Sequence, residues 1–118
     1  MHHNFRELEV WKESKNLSIL VYRLTREFPN SEMYGITSQI NRSAISIPSN
    51  IAEGAGRNSN KDFSRFINIA LGSAFELETQ LIIAFELNFI ENNVYEGLIK
   101  EIHVIQKKLV NFNKFLNN

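Results

Sequence analysis

Residues 36–57 read ITSQINRSAISIPSNIAEGAGR, and this stretch decides the fold of the chain. At about 100° per residue, one face of a helix would carry an apolar stripe made of Ile36, Ile40, Ala44, Ile47 and Ile51. A second line, about 120° round the same helix, is polar. Its members are Gln39, Arg42, Ser46, Asn50, Glu53 and Arg57. The stretch therefore predicts an amphipathic helix with a polar strip that is mostly uncharged.

This polar strip is unusual because a purely solvated helix face mostly carries Lys and Glu. Three interpretations stay open: a solvated face, a hydrogen-bonded network buried within or between subunits, and a surface for a ligand or nucleic acid. If the network exists, we expect it to consist of Gln39, Ser46, Asn50 and Glu53. Glu53 and Arg57 are four residues apart, so we also predict an ion pair between them at the end of the helix.

Pro48 lies inside this predicted helix. An interior proline removes one backbone hydrogen bond and clashes with the carbonyl four residues earlier, at a cost of about 3 kcal/mol. We therefore predict a kink between Ala44 and Pro48. The hydroxyls of Ser46 and Ser49 are the nearest groups that could satisfy the freed backbone atoms.

On either side of this stretch, apolar residues recur at steps of three and four, as in helices that pack side by side. The sequence predicts four helices, at about residues 8–27, 32–55, 61–88 and 92–116. Pro29 ends the first, Ser31 caps the second, and Gly54 and Gly56 end the second. Short connections predict an all-α, antiparallel up-down-up-down four-helix bundle, one domain over residues 1–118, whose second helix is kinked at Pro48.

One turn of the predicted third helix contains mainly small residues. They are Ala70, Gly72, Ser73 and Ala74. Small side chains let two helix backbones come close together. We expect the kinked second helix to pack against this turn.

Composition and motifs exclude several classes of protein. Thirteen basic and thirteen acidic residues give no net charge, which argues against nucleic-acid binding driven by bulk charge. There is no cysteine, so disulfides, thiolate catalysis and cysteine metal sites are excluded. Glu101 and His103 lack the Glu-x-x-His spacing of metal-binding bundles, and no nucleophile elbow or phosphate-binding glycine loop is present. We predict no enzymatic activity, no metal and no cofactor.

The distribution of apolar residues predicts a location. No segment has the apolar core of a signal peptide or the roughly 20 apolar residues of a membrane span. We therefore expect a cytoplasmic protein with no membrane partner and no small-molecule substrate.

Two surfaces are candidates for interaction. A modest basic patch near the junction of the second and third helices would consist of Arg42, Arg57, Lys61 and Arg65, with phosphate as its target. The alternative for these four is scattered, solvated charge. The first helix also carries more apolar side chains than one bundle face needs. We expect the surplus, which is Trp11, Ile19, Leu20 and Tyr22, to form a subunit interface.

Long motifs in this chain resemble a known family. They are FRELEVW (5–11), FPNSEMYGIT (28–37), QINRSA (39–44), SIPSNIAEG (46–54) with Arg57, and Gly72-Ser73 with ELE (76–78). They are similar to the bacterial four-helix bundle family known from open reading frames in 23S rRNA intervening sequences. The likeness covers nearly the whole chain.

The resemblance implies four-helix protomers that assemble into a ring-shaped homopentamer, with no established catalytic activity. A similar protein, the accessory protein of diversity-generating retroelements, binds nucleic acid and a reverse transcriptase through a strongly basic surface. This chain departs from that relative because its net charge is zero. We therefore expect a non-enzymatic homo-oligomeric scaffold, whose partner is itself. The alternative is an accessory protein that binds RNA, or an RNA-associated protein, through a local basic patch.

Overall fold

The computed structural model describes residues 3–118, and within that range it contains four α-helices and no strand. The helices are α1 (Glu9–Thr25), α2 (Ile36–Ala55), α3 (Asn60–Glu86) and α4 (Asn92–Leu116). Helix α2 begins four residues later than predicted. The reason is that the chain first makes a short 3-10 turn at Asn30–Glu32, so Ser31 lies in that turn and Gly35 is the residue before α2.

The helices form the predicted all-α bundle. Each helix packs against its neighbours in the chain, and α4 closes the bundle against α1. The connections are short, so successive helices run in opposite directions. The result is an antiparallel up-down-up-down arrangement of 45 × 24 × 20 Å.

The predicted apolar stripes form the core. On α2, the side chains of Ile40, Ala44, Ile47 and Ile51 are completely buried, and Ile36 at the start of the helix is partly buried. The stripes of the other three helices meet them. The buried members from those helices include Leu17, Val21, Phe63, Leu77, Leu81, Ile102, Ile105 and Leu109. Burial of these stripes is what drives the four amphipathic helices together.

Helix α2 continues past Pro48 to Ala55, and the kink stays a prediction. Because Pro48 has no N–H, the carbonyl of Ala44 loses its donor within the helix. The hydroxyl of Ser18 on α1 lies 2.9 Å from that carbonyl oxygen. The expectation for Ser46 and Ser49 was wrong, since Ser46 bonds elsewhere and Ser49 is exposed, whereas a side chain from α1 reaches the freed group.

Helices α2 and α3 come close together at Gly54, which lies in the last turn of α2, while Gly56 caps it. A Cβ atom at Gly54 would lie 2.8 Å from Phe63 Cδ1 and 2.8 Å from Phe66 Cβ. A methyl group at this position would therefore force atoms of α3 to move.

The small turn of α3 contributes to the same contact through Ala70, Ser73 and Ala74, which are buried. Gly72 does not, because it points to solvent and a Cβ there would meet nothing within 4 Å.

Helix α3 is long and apolar enough to cross a membrane by length and composition alone. Its apolar stripe, however, packs against α2 and α4, with Phe63, Ile67, Leu77 and Leu81 in the core cluster. A core helix of a bundle meets the same criterion for this reason.

Candidate interaction surfaces

The polar strip of α2 faces α3 and bonds to it. Asn50 Nδ2 donates to the carbonyl oxygen of Ser46 at 2.8 Å and to its Oγ at 3.0 Å. Ser73 Oγ on α3 donates to Ser46 Oγ at 2.9 Å. Of the predicted network, Ser46 and Asn50 are thus brought together within one protomer. Gln39 and Glu53 are exposed, and neither joins this set of bonds.

A second polar link between α2 and α3 was missed by the sequence reasoning. Ser43 Oγ donates to Gln80 Oε1 at 2.7 Å, and both side chains are buried. Gln80 follows Ser73 by seven residues, so the two lie on the same face of α3. The seven-residue spacing of Ser73 and Gln80 was the feature of the sequence from which this link could have been predicted. Together the two links hold α2 in register with α3.

The predicted basic patch does not assemble as expected. Arg57 forms an ion pair with Glu53 at 3.1 Å, as predicted, and Arg65 forms one with Asp62 at 3.2 Å. Both guanidinium carbons also lie 4.6 Å from the centroid of the Phe66 ring. Two of the cations at this junction are therefore already paired with carboxylates.

Lys61 and Arg42, the other two residues of the predicted patch, take no part in these ion pairs. Lys61 is exposed at the start of α3 and has no ion pair among residues 3–118. Arg42 precedes Arg57 by fifteen residues, which is about 22 Å along a helix. The structure therefore brings Arg57 and Arg65 together at the Phe66 ring, places Lys61 one turn before Arg65 on α3, and leaves Arg42 on a different part of the surface.

The predicted apolar interface residues of α1 also separate. Ile19 and Tyr22 lie on the side of α1 that faces α2, whereas Leu20 lies on the side that faces α4. Trp11 is partly buried, and its ring makes an edge contact with Phe5 at a centroid distance of 5.0 Å. The N-terminal segment thus already covers part of Trp11.

The side of α1 that faces α2 borders a groove between these two helices. Its floor is apolar, and the cavity of about 450 Å³ is lined by Lys15, Ser18, Ile19, Tyr22, Arg23, Arg26, Ile45 and Pro48. Through Tyr22 and Ile45 it continues into a neighbouring depression that includes Met33, Tyr34 and Arg42. We refer to the combined surface as the α1–α2 groove. Four basic side chains and no carboxylate line it in the part of the chain that the structure describes.

The second surface lies where α1 meets α4. Leu20 is 48% exposed, and Val94 and Val104 are each 41% exposed. On α4, Val94, Gly97, Glu101 and Val104 follow steps of three and four beside the buried stripe, so this line is apolar at its two ends and carries one carboxylate. Gly97 belongs to it, and a Cβ there would meet nothing within 4 Å. We refer to Leu20, Val94, Gly97 and Val104 as the α1–α4 face.

Comparison with known proteins decides the family. Residues 6–111 match the family described as 23S rRNA-intervening sequence protein, so the match covers most of the chain. The chain belongs to this family. The resemblance noted on the sequence motifs is thereby confirmed.

A solved structure is similar to this member of the 23S rRNA-intervening sequence family. It is a crystal structure at 1.70 Å of a protein of unknown function from the S23 ribosomal protein family of Bacteroides thetaiotaomicron. The two chains are 29% identical with a TM-score of 0.83, over 89% of this chain and 98% of the other. No curated protein matches this chain.

One further cluster in this family member links α3 to α4. His103 Nε2 lies 2.9 Å from Glu78 Oε2, and Gln106 Nε2 donates to Glu78 Oε1 at 2.8 Å. The bond from Gln106 lowers the pKa of Glu78, the bond from His103 lowers it further, and burial opposes both. The sequence reasoning missed this cluster because it compared His103 only with acids on its own helix. Among residues 3–118, no three acidic or histidine side chains form a metal-binding group.

Proposed function

We propose that this chain is a cytoplasmic, non-catalytic scaffold that assembles with copies of itself through the α1–α4 face. The number of copies is five, which is what the resemblance to its family implies. The partner of the α1–α4 face is a second copy of the chain, in a heterologous contact that closes into a ring.

The observation that carries this proposal is the exposed apolar surface that Leu20 on α1 forms with Val94 and Val104 on α4, where Glu101 lies between the two valines. Exposed apolar side chains that lie together on the surface are typical of an interaction site. Each square ångström of apolar surface that is covered contributes about 25 cal/mol. Leu20, Val94 and Val104 would all lose their solvent contact in such an assembly.

Gly97 supports the same interpretation. Glycine in the interior of a helix costs about 0.5–1 kcal/mol relative to alanine. Nothing in the protomer occupies the space beside Gly97, so packing within one chain does not explain the residue. Gly72 on α3 has the same open space, so what distinguishes Gly97 is its place beside Leu20 and Val94 on the α1–α4 face, where a helix of a neighbouring copy would come close to the backbone.

The polar clusters support the non-catalytic part of the proposal. Ser43, Ser46, Ser73 and Gln80 bond to one another across α2 and α3, and Glu78 bonds across α3 and α4. Each of these groups is occupied in joining one helix to the next. Their chemistry is that of a structural network.

The experiment compares Gly97→Gln with Gly72→Gln, since both glycines lie inside helices and have open space around them. Light scattering during size exclusion gives the mass of each variant. We expect the wild type and Gly72→Gln to have five times the 13.7 kDa mass of the chain. Gly97→Gln is expected to dissociate, because its side chain fills the space that the neighbouring helix needs.

Two outcomes would contradict this proposal at different points. A wild type that elutes as a monomer at every concentration overturns self-association itself. A Gly97→Gln variant with the mass of the wild type leaves the oligomer standing but excludes the α1–α4 face as its interface.

A second candidate function is that of an RNA-binding accessory protein. The observation in its favour is that Lys15, Arg23, Arg26 and Arg42 form no ion pair within residues 3–118 and lie along one groove. Titration with RNA at two salt concentrations tests it. Binding that weakens steeply with salt supports phosphate contacts, and absence of binding at low salt contradicts them.

A further inference from the structure

We infer that the α1–α2 groove binds single-stranded RNA, with its four cations on the phosphates and its exposed tyrosines on the bases. This inference rests on the second candidate function. In this inference the RNA-binding surface is the α1–α2 groove and not the helix junction of Arg57, Lys61 and Arg65. The RNA that it binds is single-stranded.

Charge distinguishes the two surfaces. At the junction, Glu53 and Asp62 pair with Arg57 and Arg65, so a phosphate there must compete with carboxylates for the same guanidinium groups. In the α1–α2 groove no carboxylate lines the described surface. Lys15 Nζ lies 5.5 Å from the centroid of the Trp11 ring, and Arg42 also borders a depression that contains Glu76, but none of the four cations forms an ion pair within residues 3–118. A phosphate in the groove therefore displaces no paired carboxylate, and each contact releases a counterion of the RNA.

The cations of the groove are spaced along its length. Lys15 on α1 and Arg26 directly after its last residue are eleven residues apart, which separates them by about 16 Å along the helix axis. Arg23 lies between them, and Arg42 extends the line to the α2 side of the groove. This arrangement follows an extended backbone better than it follows a single compact anion.

The aromatic side chains favour RNA over an acidic protein as the occupant. Tyr34 is 93% exposed and Tyr22 is 43% exposed, and both line the groove beside Arg42. Unpaired bases stack on such rings, and this stacking does not depend on base identity. An acidic peptide would use the cations but would gain little from a ring that projects into solvent.

The apolar floor favours single strands over duplexes. Ile19, Ile45 and Pro48 lie between the cations. Bases of a single strand are free to turn toward an apolar floor while their phosphates stay at the rim. In a duplex the bases are paired inside the helix, and the floor would stay uncovered.

The test uses a fluorescein-labelled single-stranded RNA of about 12 nucleotides, which suits the site sizes of single-strand binders. Anisotropy is measured at about 50 and 200 mM salt, and the oligomer mass is recorded on the same samples. A duplex of equal length and a poly-glutamate peptide are the comparison ligands. The variants are Arg23→Gln with Arg26→Gln, Tyr34→Ala, and Lys61→Gln with Arg65→Gln. Lys100→Gln with Lys107→Gln, on exposed positions of α4, is the matched control.

The expected results follow from four phosphate contacts. The affinity of the wild type falls with salt at a slope of about 3 on logarithmic axes, and the Arg23 and Arg26 double variant lowers that slope by about 1.4. Tyr34→Ala weakens binding of the single strand about fivefold or more but leaves the slope unchanged. The α4 control and the junction variant bind as the wild type does.

Three results overturn the inference and separate it from the proposals on which it rests. If the wild type does not bind RNA at low salt, the RNA-binding function fails as well, and the scaffold is untouched. If the junction variant loses binding while the groove variants keep it, RNA binding stands and the groove assignment is wrong. If poly-glutamate binds as tightly as RNA and Tyr34→Ala has no effect, the groove accepts an acidic protein instead.

Discussion

At the scale of single residues, the most informative contact is the one between Ser18 and the carbonyl of Ala44. Ser18 Oγ lies 2.9 Å from this oxygen and also 2.9 Å from Ser14 O. The carbonyl of Ser14 already accepts from its own helix, whereas Pro48 leaves that of Ala44 without a donor. We expect Ser18→Ala to lower the free energy of unfolding by about 1–3 kcal/mol, because a buried acceptor is left unpaired.

A double-mutant cycle checks this explanation. In a Pro48→Ala background the N–H of residue 48 is restored and can donate to Ala44, so Ser18→Ala should then cost little. Ser14→Ala is the control, because Ser14 Oγ donates only to Trp11 within its own helix. Chemical denaturation of the four proteins gives the coupling. Equal effects of Ser18→Ala with and without Pro48 would rule out the proposed link.

Glu78 gives a prediction of pH dependence. Its pKa is lowered from the ordinary value of 4.5, first by the bond from Gln106 and then by that from His103. A carboxylate whose pKa is depressed in the folded state contributes stability above its unfolded pKa and loses it as the pH falls through the folded pKa. We expect Glu78→Gln to melt below the wild type at pH 7 and to match it once the pH is well below 4.5.

The measurement is the melting temperature of both proteins from neutral to acidic pH. Glu76→Gln is the control, because Glu76 is an exposed acid on the same helix whose carboxylate has no ion pair among residues 3–118. A difference between Glu78→Gln and the wild type that stays constant with pH would mean that the ionised form of Glu78 has no special role.

At the scale of helices, the contact of α2 with α3 depends on Gly54. A Cβ there would lie 2.8 Å from Phe66 Cβ, which is fixed to the backbone of α3 and cannot rotate away. Overpacking of this kind costs about 1–3 kcal/mol, more than the helix propensity that alanine adds. We therefore expect Gly54→Ala to destabilise the protein.

Gly72→Ala is the matched control for Gly54→Ala, and we expect it to change the free energy of unfolding in the opposite direction. Gly72 also lies inside a helix, but it has open space around it. Alanine should therefore stabilise this position by about 0.5–1 kcal/mol. Thermal unfolding of both variants measures the difference. A stabilising Gly54→Ala would show that α2 and α3 can move apart without loss.

The sequence predicted the helices well because their signals are local. Ile40, Ala44, Ile47 and Ile51 follow one another at steps of three and four on a single helix, and this spacing alone predicts that they are buried. The partners across helices could not be predicted in the same way. Ser18 with Ala44 and Glu78 with His103 are separated by 26 and 25 residues, and their pairing depends on how the helices are placed side by side.

The same reason explains the outcome for the candidate surfaces. Ile19 and Leu20 are adjacent in sequence and both apolar, but they border different grooves because α1 has a neighbour on each side. The charges of the α1–α2 groove come from two helices, so no single segment is strongly basic. The net charge of the chain is zero, so it does not predict that this one surface is positive.

At the scale of the whole molecule, α1 separates the surface proposed for self-association from the surface proposed for RNA binding. The α1–α4 face lies on one side of this helix and the α1–α2 groove lies on the other. If the neighbouring copy does not cover the α1–α2 groove, assembly through the α1–α4 face leaves that groove open to solvent. A ring of five copies would then carry five grooves, and an RNA long enough to reach two of them would bind with increased avidity.

Assembly also has a consequence for stability. If folding is coupled to association, the melting temperature of the wild type must rise with protein concentration, because only the folded state binds its partners. Gly72→Gln should behave in the same way. Gly97→Gln should melt at one temperature over about a hundredfold range of concentration, since its protomers fold without partners.

Differential scanning calorimetry across that concentration range measures this effect directly. Glutamine has a higher helix propensity than glycine, so Gly97→Gln should not unfold α4 by itself. Loss of the concentration dependence can then be assigned to the interface. A wild type whose melting temperature is independent of concentration would show that the protomer gains no stability from its neighbours, and exposed Val94 and Val104 on α4 would then need another partner.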